Sequence, residues 1–204
     1  FINLSNVDAT TDKHSLFFER LKLDQIHRIE TEAFETLPGQ PLAYWMSNSF
    51  RRAFEVFPAL EKFADFRIGM ATGKNELYVR LWHEVSTQRI GLGYGDRNLA
   101  KASGRKWFPY AKGGQFRRWA GNREHLVDWQ NDGHALQTTR HPSGERIWAH
   151  NFNLNSIFKP AVCWTQVTDA GSSFRYYPRG FLFDAAAGLG QPNSSGTMEP
   201  ILGL

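Results

Sequence analysis

Cysteine is almost absent from this chain of 204 residues, since Cys163 is the only one. A single cysteine excludes a disulfide within the chain and any zinc site built from several thiolates, and it is typical of a reducing compartment. No stretch approaches the roughly 18 apolar residues of a membrane-spanning helix, and the first residues lack the blocks of a signal peptide. We therefore predict a cytoplasmic protein that has no membrane partner.

Common active-site patterns are missing as well. No P-loop, Gly-x-Ser-x-Gly elbow or His-Glu-x-x-His motif occurs, and the seven histidines are scattered. Gly91-Leu92-Gly93-Tyr94-Gly95 is rich in glycine, but a nucleotide site needs an acid about 20 residues later to bind the ribose. The 27 residues after Asp96 contain no acid. We predict no catalytic residue, no metal and no cofactor in this chain; a small enzyme that uses the glycine loop is an open alternative.

Residues 97–123 contain no Asp or Glu but eight Lys or Arg. The other residues carry 16 Lys or Arg against 20 Asp or Glu, so the formal net charge of +4 conceals a local basic patch. Within this acid-free window, cations alternate with Trp, Phe and Tyr from Arg105 to Trp119. Because cations neutralise phosphates and aromatic faces stack on bases, the pattern favours a nucleic acid as partner. The alternative is that the cationic side chains merely cover the edge of a core.

The order of patterns predicts an α+β fold, with N-terminal helices followed by a mixed sheet of short strands that carries long DNA-binding loops. One helix is predicted after Asp12, and another over residues 42–57. Most aromatic rings of the second helix are predicted to lie in the core, among Tyr44, Trp45, Phe50, Phe54 and Phe57. From residue 67 the pattern favours short strands, beginning with a hairpin whose turn lies at residues 71–75. Further strands are predicted at residues 146–152 and 161–167.

Four motifs resemble, in the same order, the region after the catalytic domain in adenine-specific DNA methyltransferases of BREX-type phage-exclusion systems. They are Leu37-Pro38-Gly39-Gln40-Pro41-Leu42-Ala43-Tyr44-Trp45, Gly69-Met70-Ala71-Thr72-Gly73-Lys74-Asn75 together with Leu81-Trp82-His83-Glu84-Val85, Lys106-Trp107-Phe108-Pro109-Tyr110-Ala111-Lys112-Gly113-Gly114 and Phe174-Arg175-Tyr176. The resemblance implies a target-recognition segment, as in restriction-modification enzymes, beside a catalytic domain that binds S-adenosylmethionine. The family's Asn-Pro-Pro-Tyr loop is absent, since none of the nine prolines is followed by another.

The resemblance also implies how the chain is divided. Residues 1–40 would connect to a missing catalytic domain, residues 41–188 would form the target-recognition domain that binds DNA, and residues 189–204 would be a tail rich in Gly, Pro and Ser. Double-stranded DNA and the catalytic methyltransferase domain are the implied partners, and whether this chain alone is an enzyme stays open. The alternative is a module that binds RNA or an acidic protein through the same patch, without an enzymatic role.

Different side chains are expected to do different work at such an interface. Most of the cations would contact phosphates, whereas Arg117 or Arg118 would recognise guanine and Asn75 or Gln115 adenine, because bidentate geometry suits those pairs. The two glycines would let the backbone approach the DNA closely, and the aromatic rings would brace arginines, wedge against unstacked bases or form the floor of the loop. The complete predicted interface is Thr72, Lys74, Asn75, Lys101, Arg105, Lys106, Trp107, Tyr110, Lys112, Gly113, Gly114, Gln115, Arg117, Arg118, Trp119 and Arg175.

Overall fold

The computed structural model describes residues 1–4, 7–167, 171, 173–194 and 196–198. The chain divides into two compact units, Phe1–Ala59 and Leu60–Leu204. Helices occur in both units, and the second unit also contains two four-stranded sheets, which confirms the predicted α+β class. Within the described ranges, no helix is long and apolar enough to cross a membrane.

The first unit contains helices α1 (Lys13–Lys22) and α2 (Asn48–Val56) and a 3₁₀ helix at Thr31–Phe34. Asp12 begins α1 because its carboxylate accepts the N–H of His14, and the Ser47 hydroxyl accepts the N–H of Phe50 at the start of α2. The helix after Asp12 is confirmed. The second helix begins at Asn48 and not at residue 42, because Ser47 supplies its cap.

Helix α2 turns Arg51 inward and two phenylalanines outward. Arg51 is 8% exposed, its Nη2 donates to the carbonyl oxygen of Ala43 at 3.2 Å, and its guanidinium lies 5.8 Å from the ring centroid of Phe34. Phe50 and Phe54 are exposed. The prediction that these two rings belong to the core is wrong, because the contacts of Arg51 occupy the inner face of the helix.

In the second unit, the first sheet consists of β1 (Ala64–Ile68), β5 (Ala161–Thr165), β6 (Arg175–Tyr177) and β8 (Ala187–Pro192). Their order is β1-β8-β5-β6, and all pairs are antiparallel. Cys163 of β5 pairs with Leu189 of β8 and is completely buried. Residues 189–192 were predicted as tail and instead belong to a central strand, whereas residues 195 and 199–204 of that tail lie outside the described ranges.

The second sheet consists of β2 (Val79–Leu81), β3 (Trp107–Ala111), β4 (His125–Asp128) and β7 (Leu182–Phe183). Their order is β2-β4-β3-β7, in which β3 and β7 are parallel and the other pairs antiparallel, as expected of a mixed sheet. The predicted hairpin is wrong, because β1 and β2 belong to different sheets. Between them lie the turn at residues 72–75 and the single-turn helix α3 (Asn75–Tyr78).

Further short helices occur in the second unit. Helix α4 (Arg97–Ala102) packs against α5 (Gln130–Thr138), and 3₁₀ helices occur at Leu60–Lys62, Trp82–Glu84 and Thr87–Arg89. Strand β3 is buried at every position, and its second residue, Phe108, packs edge-to-face on Phe158. The middle of the acid-free window is therefore a core strand, and only the residues on either side of that strand are available to a partner.

Candidate nucleic-acid interface

The most exposed part of the acid-free window is a loop at residues 114–120, which follows β3 after Lys112 and Gly113. All seven of its residues are exposed, and we call it the exposed loop. Its side chains include an amide, two guanidinium groups and two aromatic rings, contributed by Gln115, Phe116, Arg117, Arg118 and Trp119. Groups of these kinds can contact phosphates, base edges and base faces.

Hydrogen bonds to the backbone hold both ends of the exposed loop in place. Near its start, the side-chain amide of Asn122 donates to the carbonyl oxygen of Gln115 at 2.9 Å. Just after its end, the Tyr177 hydroxyl donates to the carbonyl oxygens of Gly121 and Asn122 at 3.0 and 3.1 Å. Because these contacts restrain the backbone in advance, binding costs the exposed loop less conformational entropy. The sequence analysis missed the supporting roles of Asn122 and Tyr177.

Arg175 supports the middle of the exposed loop from the core. Its side chain is fully buried; Nη1 donates to the carbonyl oxygens of Ser173 (3.1 Å) and Arg117 (3.4 Å), and Nη2 donates to the Thr165 hydroxyl (3.0 Å). The expectation that Arg175 contacts DNA is therefore corrected, because its charge is enclosed by these acceptors. Arg175 lies in β6, where buried and exposed residues alternate, so its side chain points to the same face as that of buried Tyr177.

Two aromatic residues of the predicted interface are also buried, so the expectation that they contact DNA is corrected as well. Trp107 is 6% exposed and Tyr110 is fully buried, and both lie in the core strand β3. The Tyr110 hydroxyl donates to the carbonyl oxygen of Met70 at 2.7 Å, and burial raises the pKa of this phenol. Neither ring is positioned to contact a base, so they form the floor beneath the surface, as the alternative for these rings predicted.

Trp119 is the aromatic residue of the interface that remains exposed, with 51% of its surface accessible. Its backbone is left-handed at φ +70°, a conformation that costs a bulky residue about 1–2 kcal/mol. Two backbone hydrogen bonds stabilise it: the N–H of Trp119 donates to Phe174 at 2.8 Å, and its carbonyl oxygen accepts from Tyr176 at 3.0 Å. The rest of the fold therefore imposes this conformation on Trp119.

A cleft of about 480 Å³ lies between the turn at residues 72–75 and the residues that lead into the exposed loop. Within the turn, the Thr72 hydroxyl donates to Oδ1 of Asn75 at 2.7 Å, which orients an exposed amide. On the other side, Gly113 passes so close to the carbonyl oxygen of Ala186 that a Cβ atom would lie 2.9 Å from it. The residues that line the cleft are Ala71, Thr72, Gly73, Asn75, Lys112, Asp184, Ala185 and Ala186.

The indole of Trp148 holds the turn in position. A Cβ atom on Gly73 would lie 2.3 Å from Cδ1 of Trp148, so only glycine fits there without displacement. The Lys74 ammonium lies 4.7 Å from the ring centroid of Trp148, and His141 contacts the ring edge-to-face. Trp148 is a third supporting residue that the sequence did not indicate. The strand predicted at residues 146–152 forms only isolated bridges.

The basic patch is smaller than the sequence indicated, because acids from beyond the window fold back onto it. Three cations form ion pairs with N–O distances of 2.5–3.1 Å: Arg97 with Asp132, Lys106 with Asp128 and Lys112 with Asp184. A fourth, Arg123, donates to the carbonyl oxygen of Tyr176 at 2.9 Å. The other four cations of the window, all at least partly exposed, are Lys101, Arg105, Arg117 and Arg118.

Positive charge is nevertheless concentrated in the second unit. Residues 60–204 contain 18 Lys or Arg against 12 Asp or Glu, whereas residues 1–59 contain 6 against 8. The formal charges are therefore +6 and −2. A partner that carries negative charge is attracted to the second unit and not to the first.

Two other groups are explained by packing. Gly91 of the glycine loop lies against Phe108, where a Cβ atom would come within 2.4 Å of the ring, so the close approach accounts for this glycine. His125 of β4 has its Nδ1 buried without a hydrogen-bond partner among the described residues, and burial together with Lys112 lowers its pKa. Among the residues that the structure describes, no cluster of three or more His, Cys, Asp or Glu is placed to hold a metal.

Comparison with known proteins identifies the relatives of this chain. No protein-family model matches it. It is 34% identical over 186 residues to the adenine-specific methyltransferase PglX of Lacticaseibacillus casei (strain Zhang), and 36% identical over 152 residues to the adenine-specific methyltransferase BrxX of Escherichia coli O9:H4 (strain HS). The matches cover 89% and 74% of this chain but 15% and 11% of those relatives. The chain therefore belongs to the BREX-type adenine-specific methyltransferases, in which it corresponds to one segment.

Proposed function

We propose that the second unit binds duplex DNA through the exposed loop and the turn at residues 72–75, and so selects the target of an adenine-specific methyltransferase. The observation that carries this proposal is the exposed loop itself. It presents two arginines, an amide and an indole on a backbone fixed by Asn122, Arg175 and Tyr177. Sites on a restrained scaffold are the ones that hold recognition groups accurately.

The side chains divide into two groups by their expected contacts. Arg117 and Arg118 extend from the exposed loop to phosphates or guanine edges, and Gln115 and Asn75 supply amides that suit adenine. Lys101 and Arg105 add positive charge farther along the window. Methyl transfer requires a catalytic body and S-adenosylmethionine, and the relatives have most of their length outside the matched segment. In this proposal the chemistry belongs to that other part.

The test is a titration of the whole chain with a mixed-sequence duplex, a single strand and heparin at several salt concentrations. Removing one phosphate contact flattens the salt slope by about 0.9, so R117A/R118A should flatten it by about 1.8 relative to the original chain. R89A/R140A is the matched control, because it removes two exposed arginines outside the exposed loop. We expect the control to change the slope by less than half of this amount.

The outcomes separate this proposal from the polyanion-binding alternative. Duplex binding that survives heparin competition and falls only in R117A/R118A supports target recognition. A non-specific duplex affinity in the range of about 10⁻⁴–10⁻⁶ M is enough for the measurement. Equal affinity for duplex, single strand and heparin, or equal losses in both double variants, would instead support a module without duplex specificity.

A further inference from the structure

We propose that Trp119 is a wedge that enters the base stack, so that the exposed loop binds best to duplex DNA with a missing or mispaired base. This inference rests on the proposed function and adds to it the class of DNA that the site prefers. A duplex with a gap in its stack offers a space for the indole, whereas an intact duplex has to be unstacked first.

The surroundings of Trp119 fit a ring that is kept free for a partner. Trp119 is 51% exposed, and among the residues that the structure describes its indole ring forms neither a hydrogen bond nor a ring stack. Buried tryptophans normally satisfy their N–H within the fold, and an exposed ring with arginines beside it is typical of an interface. Arg117 and Arg118 precede it directly, so the ring would approach DNA between groups that contact phosphates.

A wedge also has to resist displacement when it meets stacked bases. The left-handed backbone of Trp119 is fixed by hydrogen bonds on both sides of the residue, to Phe174 and Tyr176. Two residues earlier, the carbonyl oxygen of Arg117 accepts from buried Arg175. The exposed loop is therefore restrained next to the ring as well as at its ends, which keeps Trp119 in position when it meets stacked bases.

Phe116, the other aromatic residue of the exposed loop, contacts an arginine. Phe116 is 43% exposed, but the guanidinium of Arg118 lies over it, 5.2 Å from the ring centroid. A ring covered by an arginine braces that arginine and presents less of its face to bases. We therefore assign the wedge to Trp119 and the support of Arg118 to Phe116.

The experiment compares one short duplex with the same duplex that contains a single abasic site, each titrated with the whole chain. The original chain should bind the abasic duplex about tenfold more tightly or better, since unstacking is already done. W119L should bring the two affinities within about twofold of each other, and W119F should retain most of the preference because it keeps an aromatic ring. The matched control is W82L, because Trp82 is 55% exposed but lies outside the exposed loop.

A 2-aminopurine base next to the abasic site provides a second readout, since its fluorescence reports stacking directly. Its signal should change with the original chain and W82L but not with W119L, and circular dichroism should show the same fold for all variants. Duplex binding without any abasic preference, or a preference that W119L retains or that W82L also loses, would overturn the wedge and leave target recognition standing. If the original chain binds no duplex at all, the proposed function fails and the wedge fails with it.

Discussion

Nη1 of Arg175 lies 3.4 Å from the carbonyl oxygen of Arg117, 58 positions earlier in the chain. Through this hydrogen bond, a fully buried side chain of β6 supports the exposed loop that follows β3 of the other sheet. The same guanidinium binds Ser173 and Thr165, and its Nε has no partner among the described residues. Arg175 is therefore a positioning residue for the exposed loop.

Replacing Arg175 by methionine should remove this support. The Ser173, Arg117 and Thr165 oxygens would lose their donor at about 1–3 kcal/mol each, and removal of the buried charge offsets part of this cost, so we expect a net loss of about 2–4 kcal/mol in the free energy of unfolding. Urea denaturation checks the value. R89M is the control, since Arg89 is exposed and its replacement should change stability by less than about 0.5 kcal/mol. A variant R175M as stable as R89M would contradict the supporting role.

The close approach of Gly73 to Trp148 leads to a second prediction. Gly73 and Gly93 have the same left-handed backbone, at φ +76° and +73°, but only Gly73 has neighbours within 4 Å of the place that a Cβ atom would occupy. Alanine at either position should cost about 1 kcal/mol through the backbone. G73A should lose a further 1–3 kcal/mol or so from the clash with the indole. Denaturation of both variants isolates this difference, and equal losses would show that Trp148 moves aside freely.

In the cleft, the ion pair with Asp184 makes the ammonium of Lys112 less available to a ligand. Asp184 is 6% exposed and accepts from Nζ of Lys112 at 3.1 Å, so D184N should weaken this hold and make the ammonium available to a phosphate. We expect tighter duplex binding and a salt slope steeper by about 0.9, with some loss of stability. D128N is the control, because Lys106 and Asp128 form a pair of the same length in a different place. Equal changes in both variants would argue against a DNA contact by Lys112.

His125 predicts a dependence of stability on pH. Its pKa is lowered from the ordinary value of 6.5, first by burial and then by Lys112, so the folded chain releases this proton more readily than the unfolded chain does. The unfolded state therefore binds more protons as the pH falls, and the stabilisation present above pH 6.5 is lost below it. Unfolding measured at several pH values between about 5 and 7.5 should show a flatter profile for H125Q than for the original chain. Q88A, at an exposed glutamine that carries no titratable group, is the control and should leave the profile as it was.

Asn75 should influence which DNA sequence is bound, and not only how tightly. Its amide is oriented by the Thr72 hydroxyl, so N75A should change the sequence selected from a random duplex pool, and T72V should change it in the same direction but less. The loss of one good bidentate pair removes about 1–3 kcal/mol of discrimination at one base pair. N98A, at an exposed asparagine of α4, is the control. An unchanged selected sequence in N75A would remove Asn75 from the recognition groups.

Local patterns predicted the fold class, the first helix and β5, because capping by Asp12 and short apolar runs depend on neighbouring residues. The partners of the strands were not predictable in this way. β1 pairs with β8, more than 100 positions away, so the expected hairpin between residues 67 and 82 did not take account of a competing long-range pairing. Pairing of this kind is determined by the whole sheet and not by the turn.

The candidate site shows the same division. Arg117, Arg118 and Trp119 are exposed in a segment that follows two glycines, whereas Tyr110 is buried because it lies in a central strand that the local sequence did not reveal. The absence of Asp and Glu from residues 97–123 was also an observation on neighbouring residues in the sequence alone. Asp128, Asp132 and Asp184 lie outside the window in sequence and next to it in space, so only the tertiary structure shows how much of the charge they neutralise.

The burial of Cys163 gives the chain an internal reporter of sheet opening. This single thiol is fully buried in β5 between β6 and β8, and burial raises its pKa far above the usual range, so it is inert while the sheet is closed. A thiol reagent can label it only after one of these strands separates. The rate of labelling therefore measures how often the sheet that supports the exposed loop comes apart, without any added probe.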